Sequence, residues 1–173
     1  MVSDEQDPRD GQASATAPAA NKHLLVVFHS ATGGVETMAE AVLEGARDPA
    51  IDHVDIRARR ALDAHTDDVL WADGIILGTP ENFGYMSGAL KHFFDTVYYP
   101  CLDLTRGRPF ALFVNGNTDG TGAVRAIHRI VTGLGWREVR PPIVVVGAVD
   151  PADIEQCREL GAAMAAGLSF ELL

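Results

Sequence analysis

Hydrophobic residues along this chain fall into two alternating patterns. Short unbroken apolar runs are typical of parallel strands buried on both faces, and apolar residues spaced three or four apart are typical of amphipathic helices. From Lys22 onward the first pattern predicts five strands, of which the second is the weakest. The predicted strands lie at residues 24–28, 51–56, 74–78, 110–114 and 143–146.

The second pattern predicts helices between and after these strands. Their apolar faces span residues 35–46, 90–98, 124–134 and 154–168, and a shorter helix is expected with Thr66 as its cap. Strands that alternate with helices form a parallel sheet with right-handed crossovers. The predicted fold class is therefore α/β, a doubly wound three-layer sandwich with a five-stranded parallel sheet. Of the two common strand orders, we predict 2-1-3-4-5.

Residues 1–21 differ in composition from the rest of the chain. They are rich in Ala, Ser, Asp, Gln and Pro, and their only larger apolar residues are Met1 and Val2. Such a segment cannot bury enough apolar area to offset the entropy lost on ordering. We therefore expect a disordered N-terminal tail over residues 1–21 and a single domain over residues 22–173.

Charge and composition limit the classes of partner and site. The net charge of −10 disfavours nucleic acid and anionic membranes, because a phosphate backbone needs a basic surface. Neither a signal peptide nor a run long enough to insert into a membrane is visible, so a cytoplasmic location is expected. Cys101 and Cys157 give no disulfide framework, and the six scattered histidines show no metal-ligand spacing, so we predict no metal site.

Ligands of doubly wound sheets bind beyond the carboxyl ends of the strands, where the direction of winding reverses. Three loops occupy that place after strands one, three and four. We call them loop 1 (residues 29–34), loop 2 (residues 79–88) and loop 3 (residues 115–122).

Loop 1 reads His-Ser-Ala-Thr-Gly-Gly and leads into the first helix. Two hydroxyls and two glycines at a helix N-terminus can surround one anion with side-chain and backbone donors. The same residues also suit a plain helix cap with a tight turn, so the loop alone leaves both interpretations open. It lacks the lysine of a triphosphate-binding loop and the glycine pattern of a dinucleotide-binding loop.

Loops 2 and 3 are glycine-rich. Loop 2 also carries Pro80 and the aromatic residues Phe83 and Tyr85, so we expect a flat, partly apolar ligand to lie against it. The alternative is that the two aromatic rings fill core space, while Ser87 caps the next helix. Loop 3 contains three glycines and small polar residues, which suit close approach to a ligand or an ordinary connection equally well.

Two motifs carry a resemblance to a known family. Ser-Ala-Thr-Gly-Gly-Val-Glu-Thr-Met-Ala at residues 30–39 and Gly-Thr-Pro-X-X-Phe-Gly-X-Met-Ser-Gly at residues 78–88 resemble the flavodoxin superfamily, and the second motif is the more specific. The chain is most similar to the flavodoxin-like NAD(P)H:quinone oxidoreductases and the related NADPH-dependent FMN reductases. The resemblance covers most of the chain after the tail and implies a flavodoxin-like fold with FMN as cofactor.

The resemblance also implies which residues contact each part of FMN. Those implied for the 5′-phosphate are Ser30, Ala31, Thr32, Gly33, Gly34 and Val35. Those implied along the isoalloxazine ring are Pro80, Glu81, Asn82, Phe83 and Gly84. Those implied at the other edge of the ring are Asn115, Gly116, Asn117, Thr118, Asp119 and Gly120.

The function implied by the resemblance is an NAD(P)H-dependent oxidoreductase that reduces quinones or similar small-molecule acceptors, with the chemistry on the flavin. The alternative is a flavodoxin-type electron carrier that docks redox proteins through its acidic face. Electron carriers usually have Thr or Ser where Val35 stands, which favours the reductase, although quinone reductases usually have Arg where Asn82 stands. A homo-oligomer is compatible with either function.

One basic cluster remains outside these motifs. Arg57, Arg59 and Arg60 are expected to lie in a solvated loop, with a contact to a nicotinamide 2′-phosphate as the alternative.

Overall fold

The structure, a computed structural model, describes residues 20–173, and within them seven strands and five α-helices follow one another along the chain. The strands are β1 Lys22–Phe28, β2 Val54–Arg60, β3 Gly74–Asn82, β4 Tyr85–Met86, β5 Pro109–Gly116, β6 Arg137–Glu138 and β7 Ile143–Val146. The helices are α1 Gly34–Ala46, α2 Thr66–Trp71, α3 Gly88–Cys101, α4 Thr121–Leu134 and α5 Pro151–Ser169. The predicted N-terminal tail lies outside the described residues, apart from its last two.

The main sheet is parallel and runs in the order β2-β1-β3-β5, with β6 and β7 both on the outer edge of β5. β6 pairs with the start of β5 and β7 with its end. Pro141 and Pro142 lie between the two short strands and have no backbone N–H to donate to a ladder. The five predicted strands therefore have the order 2-1-3-4-5, as expected, and β6 is an additional short strand on the edge that β7 occupies.

Two apolar layers enclose the sheet. On β1, Leu24, Val26 and Phe28 face the layer formed with α1 and α5, while Leu25 and Val27 face the layer formed with α2, α3 and α4. Alternate side chains of one strand thus enter opposite layers, because neighbouring residues of a strand point to opposite faces of its sheet. No helix among residues 20–173 is both long and apolar enough to span a membrane.

The second strand and the basic cluster differ from expectation. β2 begins and ends later than the predicted strand, and the arginines expected in a solvated loop lie on it. Arg57 and Arg59 bind the Asp68 carboxylate at 2.9 and 3.1 Å, and the Arg57 guanidinium lies 3.8 Å from the centre of the Trp71 ring. Residues of α2 therefore engage two of the three arginines that were expected to be solvated.

Loop 2 also differs from the expected open turn. β3 continues through Asn82, and the chain reverses at Phe83 and Gly84 to form an antiparallel hairpin with β4. We call residues 81–86 the hairpin. Phe83 is fully exposed and Tyr85 is exposed, so the alternative that these two rings fill core space is wrong.

Candidate functional site

The three glycine-rich loops meet at one edge of the sheet. Phe28 at the end of β1 pairs with Gly78 of β3, and Pro80 of β3 pairs with Asn115 of β5. The parallel register therefore places the residues that follow these strands side by side. All three predicted loops belong to this one edge.

Loop 1 acts partly as a helix cap. The Ser30 hydroxyl oxygen accepts hydrogen bonds from the backbone N–H groups of Gly33 at 3.2 Å and Glu36 at 3.1 Å. Gly33 has a φ of 100°, a left-handed conformation that favours glycine. Within residues 20–173, the N–H groups of Gly34 and Val35 have no acceptor. Both interpretations of this loop therefore find support, since Ser30 caps the helix while two amides stay available to an anion.

Loop 1 is tied to loop 3 through Asn115. The Asn115 side-chain amide donates to the carbonyl oxygens of Val145 and Gly147 at 3.1 and 2.9 Å. Its own amide oxygen faces Gly34, where an added Cβ would stand only 2.2 Å away. Gly34 is therefore required by close packing at the start of α1.

An ion pair lies beside loop 1. The Arg60 guanidinium binds the Glu36 carboxylate, with one contact of 2.6 Å, and lies 4.6 Å from the centre of the Phe28 ring. Glu36 is in the first turn of α1, where a negative charge interacts favourably with the helix dipole. The side of loop 1 that faces β2 is therefore occupied by this ion pair.

The hairpin turns in a strained conformation. Phe83 and Gly84 have φ values of 53° and 69°, as a two-residue type I′ turn requires. A left-handed conformation costs an ordinary L-residue about 1–2 kcal/mol. At the base of the hairpin, the buried Thr79 hydroxyl accepts from the Ser87 N–H at 3.0 Å, and the Ser87 hydroxyl caps α3 by accepting from Leu90, as predicted. The structure thus holds an exposed aromatic ring at a strained position.

Glu81 connects the hairpin to loop 3. One carboxylate oxygen accepts from the Gly122 and Ala123 N–H groups at 3.0 and 3.4 Å, and the other from the Gly120 N–H at 3.1 Å and from the Thr118 hydroxyl. The Thr118 hydrogen bond lowers the pKa of Glu81 against the opposing effect of burial, and the three backbone N–H groups lower it further. Glu81 therefore caps α4 from a strand 39 residues earlier in the sequence.

The hairpin also packs directly on α4. A Cβ at Gly122 would lie 2.0 Å from the Gly84 carbonyl oxygen, so only glycine fits there. Beside this contact lies a groove of about 510 Å³ between the hairpin and α4. Its lining residues are Gly84, Tyr85, Gly122, Arg125, Ala126 and Arg129.

A buried nitrogen without a partner lies next to loop 1. His29 Nδ1 is buried and has no hydrogen-bond partner among residues 20–173. The His29 backbone N–H donates to the Gly78 carbonyl at 3.0 Å, which fixes the residue at the carboxyl edge of the sheet. An unpaired buried polar atom is costly and uncommon in folded proteins, so this nitrogen is an exception at the carboxyl edge of the sheet.

Comparison with known proteins bears on what this edge binds. The model of the family described as NADPH-dependent FMN reductase matches residues 20–150, which include all three loops. The chain belongs to the NADPH-dependent FMN reductase family.

Relatives of this family member carry two kinds of name. The chain is 42% identical over 111 residues to a protein from Aquifex aeolicus named flavodoxin, a match covering 64% of this chain and 59% of that protein. It is 40% identical to a protein from Acidithiobacillus ferrooxidans named NAD(P)H dehydrogenase (quinone), a match covering 42% of this chain and 45% of that protein. The matches thus span about half the length of these relatives.

The fold of this family member agrees with solved structures. A flavodoxin from the domain Archaea superposes with a TM-score of 0.74 over 84% of this chain and 98% of that chain, at 22% sequence identity. The predicted flavodoxin-like fold and the predicted family are therefore both confirmed.

The structure assigns different tasks to the predicted site residues. The Val35 side chain is buried in the apolar layer that α1 and α5 form on the sheet, which leaves its backbone N–H for the loop. The Glu81 carboxylate binds α4, whereas Thr32, Asn117 and Asp119 are exposed. The Thr121 hydroxyl and N–H donate to Asp119 at 2.7 and 3.0 Å and lower its pKa. A role of these residues in ligand contact stays a prediction.

The sequence analysis of this family member missed the basic wall of the groove. Arg125 and Arg129 lie four residues apart on α4, so they share one face of the helix. This spacing of four residues could have indicated a basic helix face from the sequence alone. Their position against the hairpin depends on the contact between Gly84 and Gly122, which only the three-dimensional structure reveals.

Proposed function

We propose that this protein binds FMN at the edge formed by loops 1, 2 and 3 and acts as an NAD(P)H-dependent oxidoreductase that reduces quinones or similar small-molecule acceptors. The observation that carries the proposal is the meeting of two complementary features at that edge. One is a helix start with N–H groups available to an anion, and the other is a hairpin that holds an aromatic ring exposed. A flat ligand with a single phosphate matches both features.

Each loop would have a distinct task. Residues 30–35 would hold the phosphate, chiefly through the backbone N–H groups of Gly34 and Val35. Residues 80–84 would lie along the ring, with Phe83 contributing its aromatic face. Residues 115–120 would border the opposite edge, positioned by Glu81 and by the side-chain amide of Asn115.

When bound, FMN would supply transfer of electrons from the reduced nicotinamide to the acceptor. The protein's own contribution is positional. Glu81 holds loop 3 against the hairpin, and the groove beside Tyr85 gives a small molecule access to the same hairpin.

Binding of FMN is tested with a charge placed in loop 1. Gly33→Asp puts a carboxylate beside the available N–H groups. An added Cβ at Gly33 has no neighbour within 4 Å, and the strain that a φ of 100° imposes on aspartate is matched in the control below. Gly107→Asp is a matched control, because Gly107 also has a positive φ and open space around its Cβ but lies before β5, away from the loops. Titration followed by flavin fluorescence should show loss of binding in Gly33→Asp alone. Equal affinity in both variants would contradict the proposed site.

The second candidate is an electron carrier, favoured by the net charge of −10, which suits docking to a basic redox protein. Anaerobic mixing separates the two functions. Bleaching of bound FMN by NADH or NADPH, followed by reoxidation with a quinone, is expected of the oxidoreductase. Absence of bleaching with either nucleotide, combined with reduction by a flavodoxin reductase, would favour the carrier.

A further inference from the structure

The groove between the hairpin and α4 is basic on a protein that is acidic overall. Arg125 and Arg129, on successive turns of α4, line one side of this groove, and Tyr85 of the hairpin lines the other. The net charge of the chain is −10, so a local pair of cations is an exception to its surrounding field. An anionic small molecule would be repelled by most of the surface and attracted here.

Most other arginines already have partners. Arg57 and Arg59 bind Asp68, Arg60 binds Glu36, and Arg158 binds Glu44. The arginines with neither an ion pair nor a side-chain hydrogen bond within residues 20–173 are Arg47, Arg125, Arg129, Arg137 and Arg140. Of these, two line the groove against the hairpin. The basic cluster, for which a contact with a nicotinamide 2′-phosphate was the alternative interpretation, is therefore engaged elsewhere, and two of the available charges lie on α4.

The nearby acidic groups do not cancel these charges by contact. Asp119 accepts from Thr121 at the start of α4 and interacts with Arg125 only through space. Asp95 on α3 binds Lys91 at 2.5 Å. Glu81 directs its carboxylate at the N–H groups of α4. Both guanidinium groups thus keep their donors for a ligand.

The geometry suits a phosphate monoester. Side chains four residues apart on a helix have Cβ atoms about 5–6 Å apart, so two guanidinium groups can approach one anion together. Guanidinium donors match phosphate oxygens in pairs, and a phosphate monoester carries close to two negative charges at neutral pH. The aromatic ring of Tyr85 adds a face for a flat group attached to the phosphate.

We propose that Arg125 and Arg129 in this groove bind the 2′-phosphate of NADPH and are the residues by which the protein distinguishes NADPH from NADH. The inference rests on the proposed oxidoreductase function for its reductant. It adds the site and the chemical group that is recognised. The pyrophosphate is common to both nucleotides, so recognition of the 2′-phosphate alone accounts for a preference.

The kinetic test compares Arg125→Gln and Arg129→Gln with Arg47→Gln, an exposed arginine at the end of α1. Loss of one charge-assisted contact with a phosphate should raise KM for NADPH roughly tenfold. KM for NADH and kcat with either nucleotide should stay within about twofold of the wild type. An equal rise in KM for NADH and NADPH would overturn recognition of the 2′-phosphate. So would KM values for NADPH that match those of Arg47→Gln.

A binding test needs no turnover. Calorimetry with adenosine 2′,5′-bisphosphate should show binding to the wild-type holoprotein that weakens roughly tenfold in either α4 variant, whereas 5′-AMP should bind weakly to all proteins alike. If neither nucleotide reduces the flavin, the proposed function fails. This measurement still shows whether the groove binds a 2′-phosphate. Absent binding of the bisphosphate, or binding that does not depend on the two arginines, would overturn the inference.

Discussion

Replacing Glu81 with glutamine removes one charge from the junction between the hairpin and α4 while keeping the shape of the side chain. The carboxylate accepts four hydrogen bonds there, three of them from backbone N–H groups. In Glu81→Gln, one oxygen becomes an NH₂ donor. The Thr118 hydroxyl can rotate to accept from that donor, but the Gly120 N–H cannot, so one N–H is left facing another donor.

The expected loss follows from these contacts. A hydrogen bond to a charged group contributes about 1.5–3 kcal/mol, and a charge at a helix N-terminus adds about 0.3–1 kcal/mol. Because Glu81 is partly exposed, water replaces some of this, and we expect the free energy of unfolding to fall by about 2 kcal/mol. FMN affinity should fall as well, since loop 3 and the hairpin lose their connection.

Unfolding in guanidinium chloride, followed by circular dichroism, measures this decrease in the free energy of unfolding. Glu40→Gln is the matched control, because Glu40 is exposed on α1 and has no ion pair within residues 20–173. The two variants should share the same m-value and differ in midpoint. A difference in unfolding free energy below about 0.5 kcal/mol, the usual range for a surface substitution, would refute the reasoning.

The same pair of proteins tests the pKa of Glu81. The hydrogen bond from Thr118 holds the pKa of this carboxyl group below the ordinary value of 4.5 for glutamate, despite the opposing effect of burial. A carboxyl group with a lowered folded-state pKa adds stability that is fully present above its unfolded pKa and is lost as pH falls through the folded one. The gap between wild type and Glu81→Gln should therefore stay constant from pH 6 to 8 and narrow below about pH 4.5. A gap that widens on acidification would contradict this.

Two further substitutions test the strained turn and the close packing of loop 1. Phe83→Asn creates the preferred Asn-Gly type I′ turn, so it should stabilise the apoprotein by about 1 kcal/mol yet weaken FMN binding several-fold, because stacking is lost. Stability and affinity moving in the same direction would argue against functional strain. Gly34→Ala should destabilise the protein by about 1–3 kcal/mol, because its Cβ meets Asn115, and the cost should shrink in an Asn115→Ala background. Additive costs in that double-mutant cycle would show that the two residues do not clash.

The central strands could be predicted because their environment leaves a clear trace in the sequence. The part of a strand that is covered on both faces must be apolar, and residues 24–28 of β1, 74–78 of β3 and 110–114 of β5 follow that rule. β2 lies at the edge of the sheet and carries arginines whose partner, Asp68, comes from α2. The strand was therefore predicted only as a weak one ending at residue 56, and its arginines were expected in a loop, because the compensating charge is visible only after folding.

The location of the candidate site could be predicted from the sequence, but several of its contacts could not. Parallel topology alone brings three loops to one edge, so their adjacency followed from the strand order. The hairpin was missed because Phe83 precedes Gly84 where a type I′ turn usually has Asn or Asp. The cap that Glu81 places on α4 could not be found, since no local pattern links residues so distant in sequence.

The side chain of Asn115 connects the end of β7 with the start of α1. Its side-chain amide holds the end of β7, a four-residue strand, while its oxygen rests against the start of α1. Local opening of β7 therefore breaks side-chain contacts of Asn115, the residue that also packs against the start of loop 1's helix. A ligand that binds only when loop 1 is ordered must, by thermodynamic linkage, lower the population of molecules in which that edge is open. Amide hydrogen exchange in β7 would then report on occupancy at the opposite end of the Asn115 side chain.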